Sequence, residues 1–245
     1  MDREYYKDYA TLERTHWWFL VRRDIILNHL RSLTQGQKGL KILNVGAATG
    51  YSSEFLQEFG EVTSVEYDKE CCAFVRNKYG KEFVNASITE LPFSDEAFDL
   101  VCAFDVIEHI ADDYLAVREL KRVTHQDGKI CVTVPAFNFL WSQHDDINHH
   151  FRRYTRTNFK ALFASTGRIV KATYFNTFLF FPIAFFRMFN KGGGDEASKS
   201  DFGVAKNSFA SSLARWIFSL EKPLLSLGLS FPVGVSILLS WKREK

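Results

Sequence analysis

A short apolar run that ends in small residues constrains the fold of this chain more than any other stretch of its sequence. Residues 41–45 are long enough for a buried strand, residues 46–50 read Gly-Ala-Ala-Thr-Gly, and the residues from Tyr51 onwards predict a helix. Small residues let the backbone of such a turn approach a ligand, and the helix start offers unpaired N–H groups to a carboxylate or phosphate. The pattern therefore predicts a nucleotide-type site at this turn.

Two common nucleotide motifs do not fit the turn. The dinucleotide fingerprint G-x-G-x-x-G needs glycines where this chain has Ala48 and Tyr51. A P-loop needs Gly-Lys followed by Ser or Thr, whereas the chain continues from Gly50 with Tyr51 and Ser52. A dehydrogenase that binds NAD and a P-loop nucleotidase are therefore disfavoured.

Length, charge and cysteine content narrow the class of protein. The 245 residues suit one α/β domain with additions, and the formal net charge of +2 is spread over interspersed acids and bases, so we expect no nucleic-acid partner. The four cysteines form no C-x-x-C pair, which is typical of a reduced, cytoplasmic protein. The N-terminal residues have neither the cationic start nor the apolar core of a signal peptide. We expect a cytoplasmic protein, with membrane association left open.

Two motifs together resemble those of the class I methyltransferases that use S-adenosylmethionine (SAM), and in particular the type 11 group. The first motif of that family, acidic-x-Gly-x-Gly-x-Gly, is matched by Asn44, Gly46, Ala48 and Gly50, with departures at the first and third of these. Residues 91–101 resemble the signature L-P-F-x-x-x-x-F-D-x-V, which leads into the fourth strand. The resemblance implies methyl transfer from SAM, with S-adenosylhomocysteine as the product.

The same resemblance implies an α/β fold. Its sheet is doubly wound and Rossmann-like, with seven strands in the order 3-2-1-4-5-7-6 and the last strand antiparallel. In this chain a helical insert is expected between strands six and seven. The predicted domains are a helical cap at 1–34, a SAM-binding domain at 35–176 plus 230–245, and an apolar insert at 177–229 with a flexible linker at 191–204.

The expected cofactor site follows the ends of the first four strands. Glu66 ends the second strand, where a carboxylate can accept two hydrogen bonds from ribose hydroxyls. Family members often carry an aspartate for the adenine amino group where this chain has Ser87, so backbone groups of Ser87 and Ile88 would read the base. The predicted cofactor-binding residues are Gly46, Ala47, Ala48, Gly50, Glu66, Tyr67, Ser87, Ile88 and Asp105.

The fourth strand ends at Asp105, on the carboxyl edge where open α/β sheets place ligands. Asp105-x-x-Glu108-His109 also resembles the E-x-x-E-H cluster that binds a divalent cation in ubiquinone-type O-methyltransferases and small-RNA terminal methyltransferases. The string is also frequent in relatives without a metal. We assign no metal ligand, and the simplest expectation for Glu108 and His109 is a solvated turn with a helix cap.

A polar and aromatic loop at residues 139–155 supplies the remaining candidate catalytic residues. It resembles a methyltransferase subgroup with W-S-x-H-D and H-x-R-R-Y-T. Its histidines titrate near neutral pH and its arginines can grip a phosphate or carboxylate. The alternative is a lid held by salt bridges without catalytic proton transfer. The predicted catalytic residues are Asp105, His144, His150, Arg153 and Tyr154.

The phenylalanine-rich insert suggests the kind of acceptor. It is apolar nearly all round but interrupted too often to span a bilayer, so it predicts a cap over the substrate site, a homodimer face or peripheral membrane contact. We expect SAM-dependent methylation of an O, N or C atom of a small-molecule or lipid-linked acceptor. The alternative is a catalytically weak or inactive protein that binds SAM or a nucleoside and regulates another process.

Overall fold

The computed structural model of the protein describes residues 3–189 and 209–244. Its strands are β1 Leu40–Val45, β2 Gly60–Glu66, β3 Val84–Asn85, β4 Phe98–Phe104, β5 Thr124–Pro135, β6 Gly167–Phe175 and β7 Ser236–Arg243. Its helices are α1 Arg3–Thr15, α2 Trp17–Thr34, α3 Tyr51–Leu56, α4 Lys69–Tyr79, α5 Asp113–Val123, α6 Gln143–Ile147, α7 Arg156–Leu162, α8 Phe180–Phe189, α9 Phe209–Ser219 and α10 Glu221–Ser226. Two 3₁₀ turns lie at Ile107–His109 and Asn138–Leu140.

All the strands join one seven-stranded sheet in the order β3-β2-β1-β4-β5-β7-β6, which confirms the predicted topology. β1, β2, β3, β4 and β5 run parallel, and β7 is antiparallel to both of its neighbours, with Ile237 opposite Val134 and Tyr174. Parallel strands bring their carboxyl ends to one edge of the sheet. The residues that follow β1, β2 and β4 therefore meet at that edge.

Alternate residues of the strands fill two hydrophobic layers, one on each face of the sheet. Ile42 and Leu100 belong to the layer that contains α2, whereas their neighbours Leu43 and Val101 belong to the layer that contains α5. Successive side chains of a strand point to opposite faces, so a sheet covered by helices on both sides needs apolar residues at consecutive positions. Burying each such side chain contributes roughly 1.5–3 kcal/mol to folding.

The N-terminal segment forms two helices: the apolar spacing of residues 16–33 predicts α2, and α1 precedes it. In α1 the side chains of Tyr6, Ala10 and Glu13 are buried, at the spacing of one helix face. The ring of His16 separates the helices, and its Nδ1 accepts the backbone N–H of Trp18 at 3.3 Å as the cap of α2. α1 packs against α3 and α4, beside the turn at residues 46–50.

Two strands differ in length from the prediction. Residues 125–128 read His-Gln-Asp-Gly, which is typical of a turn, but β5 already begins at Thr124, which pairs with Phe98 across a register shift. The positive φ of 64° at Asp127 accommodates the irregularity. The sequence of residues 81–86 predicts a third strand, but β3 contains only Val84 and Asn85. Among the described strands it lies at the edge of the sheet and pairs with β2.

The insert between β6 and β7 contains α8, α9 and α10. The apolar character of residues 208–229 predicts one helix, but α9 and α10 are separated at Leu220. The carboxylate of Glu221 accepts hydrogen bonds from the backbone N–H groups of Thr177 and Phe178 at 2.6 and 2.9 Å. The predicted flexible linker at 191–204 lies outside the described residues. Within residues 3–189 and 209–244, no helix combines the length and apolar character needed to cross a bilayer.

Candidate active site

The turn after β1 has the backbone of a glycine-rich loop. Gly46 has φ 68°, and a Cβ there would lie 2.4 Å from Cγ2 of Val106, so only glycine fits without a rearrangement. Gly50, at φ 90°, begins α3. Ala48, which stands where the family motif has its middle glycine, also has a positive φ of 45°. The departure at Ala48 thus keeps the left-handed backbone of the turn, at a cost of about 1–2 kcal/mol.

The carboxylate of Glu66 is hydrogen-bonded to this turn. Its Oε2 accepts the backbone N–H of Ala48 at 2.9 Å, and its Oε1 accepts the backbone N–H of Asp68 at 2.9 Å. Burial raises the pKa of Glu66, while these N–H groups oppose that shift. Each oxygen of a carboxylate can accept two hydrogen bonds. Glu66 therefore has capacity for two further donors, as its predicted contact with two ribose hydroxyls requires.

Asn44, the other departure from the family motif, links β1 to α3. Its Nδ2 donates to the hydroxyls of Ser52 and Ser53, both at 2.8 Å. A carboxylate at this position could accept from these hydroxyls but could not donate to them. The amide therefore matches the two serines that follow the turn in this chain.

The predicted adenine-side residues follow β2 and β3. Tyr67 is 77% exposed, and its backbone oxygen accepts the Nδ2 donor of Asn85 at 2.7 Å. The hydroxyl of Ser87 lies 2.7 Å from that of Thr89, and the side chain of Ile88 is buried. All these residues lie at the carboxyl edge, the same edge that Glu66 occupies.

Asp105 lies one residue beyond β4 at a positive φ of 56°. Its Oδ2 is 2.7 Å from an Nη2 atom of Arg22 in α2, and its Oδ1 accepts the hydroxyl hydrogen of Thr133 at 2.9 Å. Sequence reasoning missed Arg22. The signal was an arginine inside an apolar helix, four residues after Trp18, whose ring lies 5.3 Å from the guanidinium.

The loop at residues 139–155 is organised around Asp145, which is fully buried. The carboxylate accepts Nε and Nη2 of Arg153 at 2.8 and 2.9 Å, and its Oδ1 also lies 2.8 Å from Nδ1 of His150. Burial opposes the charge on Asp145, but the hydrogen bonds from His150 and Arg153 outweigh it and hold the pKa of this carboxyl below its usual value. Asp145 is therefore a carboxylate that fixes the His150 ring.

Tyr154 and Arg152 fix the end of the loop in a similar way. The Tyr154 hydroxyl donates to Oδ2 of Asp113 at 2.8 Å, and Nη1 of Arg152 lies 2.7 Å from the same oxygen. Burial and the neighbouring Asp113 raise the pKa of Tyr154 above its ordinary value. The polar groups of Tyr154 and Arg153 thus bind carboxylates of the protein, which gives both residues a place in holding the loop.

Three histidine rings come close together at the loop. The ring centroid of His150 lies 6.2 Å from that of His144 and 4.5 Å from that of His109. The ring nitrogens of His144 lie 3.2 and 3.3 Å from Nδ2 of Asn148. Burial, and next the neighbouring His150, lower the pKa of His109 to about 4. His144 and His150, the two predicted bases, therefore share one site.

The expectation of a solvated turn is wrong for Glu108. Its side chain is 0% exposed, and neither carboxylate oxygen has a hydrogen-bond partner among residues 3–189 and 209–244. The 3₁₀ turn after β4 directs Glu108 into the protein. Burial, with Asp105 nearby, raises the pKa of Glu108 well above its usual value.

A cavity of about 950 Å³ lies elsewhere in the molecule. It is lined by residues near the beginnings of β5 and β6, including Lys129, Arg168 and Lys171, and by part of α2. None of the predicted site residues lines it. The residues that carry chemistry are instead gathered at the opposite, carboxyl edge of the sheet.

Comparison with known proteins identifies the domain that carries this edge. Residues 43–132 match the family described as "Methyltransferase domain". The "Probable S-adenosylmethionine-dependent methyltransferase" of Mycobacterium tuberculosis H37Rv is 31% identical over 126 residues, which cover 51% of this chain and 44% of that protein. An uncharacterised protein of Methanocaldococcus jannaschii is 26% identical over 156 residues, covering 62% of this chain and 59% of that protein. The chain spans about half the length of these relatives.

Solved structures share the fold at low sequence identity. A chain of the Haloferax volcanii complex that contains the Trm112 methyltransferase activator has a TM-score of 0.63 at 13% identity, covering 99% of this chain and 95% of that one. The cyclase SpnF has a TM-score of 0.58 at 16% identity, covering 90% and 80% of the two chains. Because a cyclase has this architecture too, the fold alone does not define the reaction.

The sequence match is more specific than the fold. It includes the turn at residues 46–50, the end of β2 at Glu66 and the edge residue Asp105. These are the positions at which the structure places the left-handed turn, the carboxylate that holds it and the ion pair with Arg22. Residues 43–132 of this chain are therefore similar to the methyltransferase domain of relatives that are described as SAM-dependent methyltransferases.

Proposed function

We propose that the protein transfers the methyl group of SAM to a lipid-linked or small-molecule acceptor at the carboxyl edge of its sheet. The observation that carries this proposal is the convergence of three features on that edge, namely the turn at residues 46–50, Glu66 and Asp105. The departures from the family motif at Asn44 and Ala48 preserve the turn, so they give no support to an inactive protein.

The residues of the turn suit the bound cofactor. Gly46 and Ala48 keep positive φ angles, and Glu66 holds the turn while retaining acceptor capacity for the ribose. Ser87 and Ile88 offer backbone groups on the adenine side. When bound, SAM supplies a methyl group on a sulfonium that is ready for in-line displacement.

On the acceptor side, the protein mainly has to align the acceptor with the methyl group of SAM and exclude water from the site. Such alignment can supply much of the acceleration of a two-reactant step. In this proposal Asp105 orients the methyl acceptor, and His144 and His150 orient it or take up its proton. The ion pair of Asp105 with Arg22 and the closeness of the two histidine rings support these roles. Arg153 and Tyr154 position the loop through Asp145 and Asp113.

The exposed surface of the insert favours a lipid-linked acceptor. Its helices expose large aromatic side chains to between 61% and 85%, namely Phe181, Phe185 and Phe186 on α8 and Phe209 and Trp216 on α9. Exposed apolar patches of this kind mark interaction sites, and aromatic residues are frequent at membrane surfaces. We infer that this aromatic surface meets the lipid phase that carries the acceptor.

The aromatic surface also connects to the catalytic loop. Phe180 and Ala184, on the buried side of α8, pack against Leu140 of the 3₁₀ turn before α6. Nη1 of Arg187 donates to the backbone oxygen of Leu140 at 2.5 Å. An acceptor delivered at α8 therefore arrives at the segment that leads to His144 and His150.

The decisive experiment is transfer of labelled methyl from SAM into cell extract, followed by separation into organic and aqueous phases. We expect label in the organic phase with the wild type and, at a SAM concentration near the wild-type Kd, much less label with Glu66→Ala, which lacks the ribose acceptor. Label confined to the aqueous phase would exclude the lipid-linked acceptor. Binding of SAM without transfer into either phase would contradict the enzymatic function.

A pair of surface variants tests the role of the insert separately. Replacing Phe185 and Phe186 together by Ser should lower transfer into vesicle-borne acceptor about tenfold or more while leaving SAM affinity unchanged, since each buried aromatic contributes roughly 1.5–3 kcal/mol. Tyr114→Ser is the matched control, because Tyr114 is 67% exposed but lies on α5. Equal loss in both proteins would contradict a specific role for α8.

A further inference from the structure

We propose that Glu108, His109 and His150 form a binding site for a divalent transition-metal ion. Each of the three side chains offers one ligand atom, and these atoms all lie within 4.8 Å of one another. Two of the residues lie in the 3₁₀ turn after β4, and the third comes from the loop before α7. This site goes beyond the methyl-transfer function and does not depend on it.

Both imidazoles are held in the tautomer that a metal requires. Nδ1 of His109 lies 2.8 Å from the backbone oxygen of Asn148, and because a carbonyl oxygen only accepts, Nδ1 carries the proton. Nδ1 of His150 lies 2.8 Å from Oδ1 of Asp145 in the same relationship. Each ring therefore keeps its lone pair on Nε2, the arrangement in which a carbonyl or carboxylate orients a metal-binding histidine.

Asp145, the hydrogen-bond acceptor of His150, is itself held in place. Asp145 is fully buried and is held on both oxygens by the guanidinium of Arg153, at 2.8 and 2.9 Å. Support of this kind from residues behind the ligands is what orients a metal site. The loop motif thus supplies one metal ligand, His150, together with Asp145 and Arg153, which hold it in place. In this arrangement Arg153 binds Asp145 and not an anionic substrate.

The buried carboxylate of Glu108 supports the metal site independently of the two histidines. It is 0% exposed, and neither of its oxygens has a hydrogen-bond partner in the described part of the chain. A buried carboxylate without a donor or a cation is strongly unfavourable. An ion beside His109 and His150 would supply the missing positive charge.

The geometry also separates this site from Asp105. The carboxylate of Asp105 is bound by Arg22 at 2.7 Å and by the Thr133 hydroxyl at 2.9 Å. The ligand set is therefore not the sequence triple of Asp105, Glu108 and His109, since His150 from the later loop takes the third place.

The donor set indicates the class of ion. Two imidazoles and one carboxylate suit Zn²⁺, Mn²⁺, Fe²⁺ or Co²⁺, whereas Mg²⁺ and Ca²⁺ prefer ligand sets made of oxygen. Three protein ligands leave at least one coordination position for an oxygen from water or the acceptor. With His150 on the metal, His144 is left as the proton acceptor of the site.

The test is direct metal binding by the full chain after treatment with a chelator. We expect one Zn²⁺ or Co²⁺ per chain by calorimetry, a rise in Tm on addition of either ion, and visible absorption from Co²⁺. Mg²⁺ should bind at least a hundredfold more weakly. A chain that binds none of these ions and shows no change in Tm would overturn the proposal.

Three variants assign the ion to these ligands. Glu108→Gln and His150→Ala should each weaken Zn²⁺ binding at least tenfold. His149→Asn is the matched control, because His149 is exposed in the same loop and its φ of 55° suits asparagine. It should bind Zn²⁺ like the wild type.

Glu108→Gln keeps the test decisive if His150→Ala does not fold. The substitution replaces the buried carboxyl group by an amide of nearly the same shape, so the apo variant should unfold at a Tm close to that of the apo wild type. Wild-type affinity in folded Glu108→Gln, or an equal loss in His149→Asn, would show that the ion binds elsewhere.

Discussion

Arg22 and Asp105 form an ion pair of 2.7 Å across the carboxyl edge of the sheet. The pair joins α2 to the end of β4, and the same guanidinium donates to the Thr133 hydroxyl of β5 at 2.9 Å. Both side chains are largely shielded, at 13% and 31% exposure. The helix that precedes the sheet in the sequence thus supplies a cation near the carboxyl ends of β4 and β5.

Arg22→Ala should destabilise the protein and impair cofactor binding. The substitution leaves Asp105 without its cation, and removing one partner of a shielded polar pair costs roughly 1–3 kcal/mol. We expect a drop of that size in the free energy of unfolding, measured with urea, and weaker SAM binding by calorimetry. Arg31→Ala is the control on the same helix, since Arg31 pairs with Glu58 at the surface, where an ion pair contributes at most about 1 kcal/mol. Equal effects of the two substitutions would contradict a special role for Arg22.

Glu66→Ala should raise the Kd for SAM at least about tenfold. The substitution removes the ribose acceptor and leaves the N–H groups of Ala48 and Asp68 without their partner, a loss of roughly 1–3 kcal/mol. Glu66→Gln keeps one acceptor oxygen, so its Kd for SAM should lie between those of the wild type and Glu66→Ala. Glu61→Ala, at an exposed position of the same strand, serves as the control for β2. Unchanged affinity in Glu66→Ala would exclude the ribose role.

Ala48→Gly should raise the free energy of unfolding, whereas Ala47→Gly should lower it. Ala48 has φ 45°, so glycine there relieves about 1–2 kcal/mol of backbone strain, which offsets its greater freedom in the unfolded chain. Ala47 is buried without a positive φ, so glycine there should lower the free energy of unfolding by about 1 kcal/mol. Urea unfolding measures both. Equal destabilisation would show that the turn relaxes around Ala48 without strain.

Glu13 should make stability depend on pH. Burial raises the pKa of Glu13 from 4.5 to about 7, although its hydrogen bond with Thr49 opposes the shift. Between these values the folded chain holds a proton that the unfolded chain has released, so the free energy of unfolding falls as pH rises from about 4.5 to 7. Glu13→Gln should flatten this decline and be more stable than the wild type at pH 8 by about 1–3 kcal/mol.

The measurement for Glu13 is urea unfolding at a series of pH values from 4 to 8. Glu61→Gln, an exposed glutamate in β2, controls for the change in net charge. A wild-type curve that does not fall across this window, or one that Glu13→Gln leaves unchanged, would contradict the assignment of the buried proton.

Several local features could be predicted because their signals lie close together in sequence, whereas the order of the sheet was implied by the resemblance to the methyltransferases. Asp68 was expected to cap α4, and its carboxylate accepts the N–H groups of Glu70 and Cys71 at 2.9 and 3.3 Å. Alternation of strands and helices gave the parallel core, and the resemblance to the methyltransferases gave the reversed strand β7. Local patterns of this kind need no knowledge of distant contacts.

The features that were missed depend on contacts between distant parts of the chain. The way in which α1 packs on the domain is one example, since Tyr6 donates to Asp68 at 2.6 Å and Arg14 donates to Glu54 at 2.7 Å. The burial of Glu108 likewise depends on how the later loop covers the 3₁₀ turn. A linear pattern shows which residues are polar but not which of them the folded chain encloses.

The position of β7 between β5 and β6 has a consequence for synthesis of the chain on the ribosome. In the described part of the chain β6 lies at the edge of the sheet, and its neighbouring strand is β7, which is made after the aromatic insert. During synthesis, β6 and the insert helices therefore lack their partner strand, and their apolar faces stay exposed until residues 236–243 emerge and β7 pairs with β6. During that interval we expect chaperones to bind the exposed apolar surface of the insert.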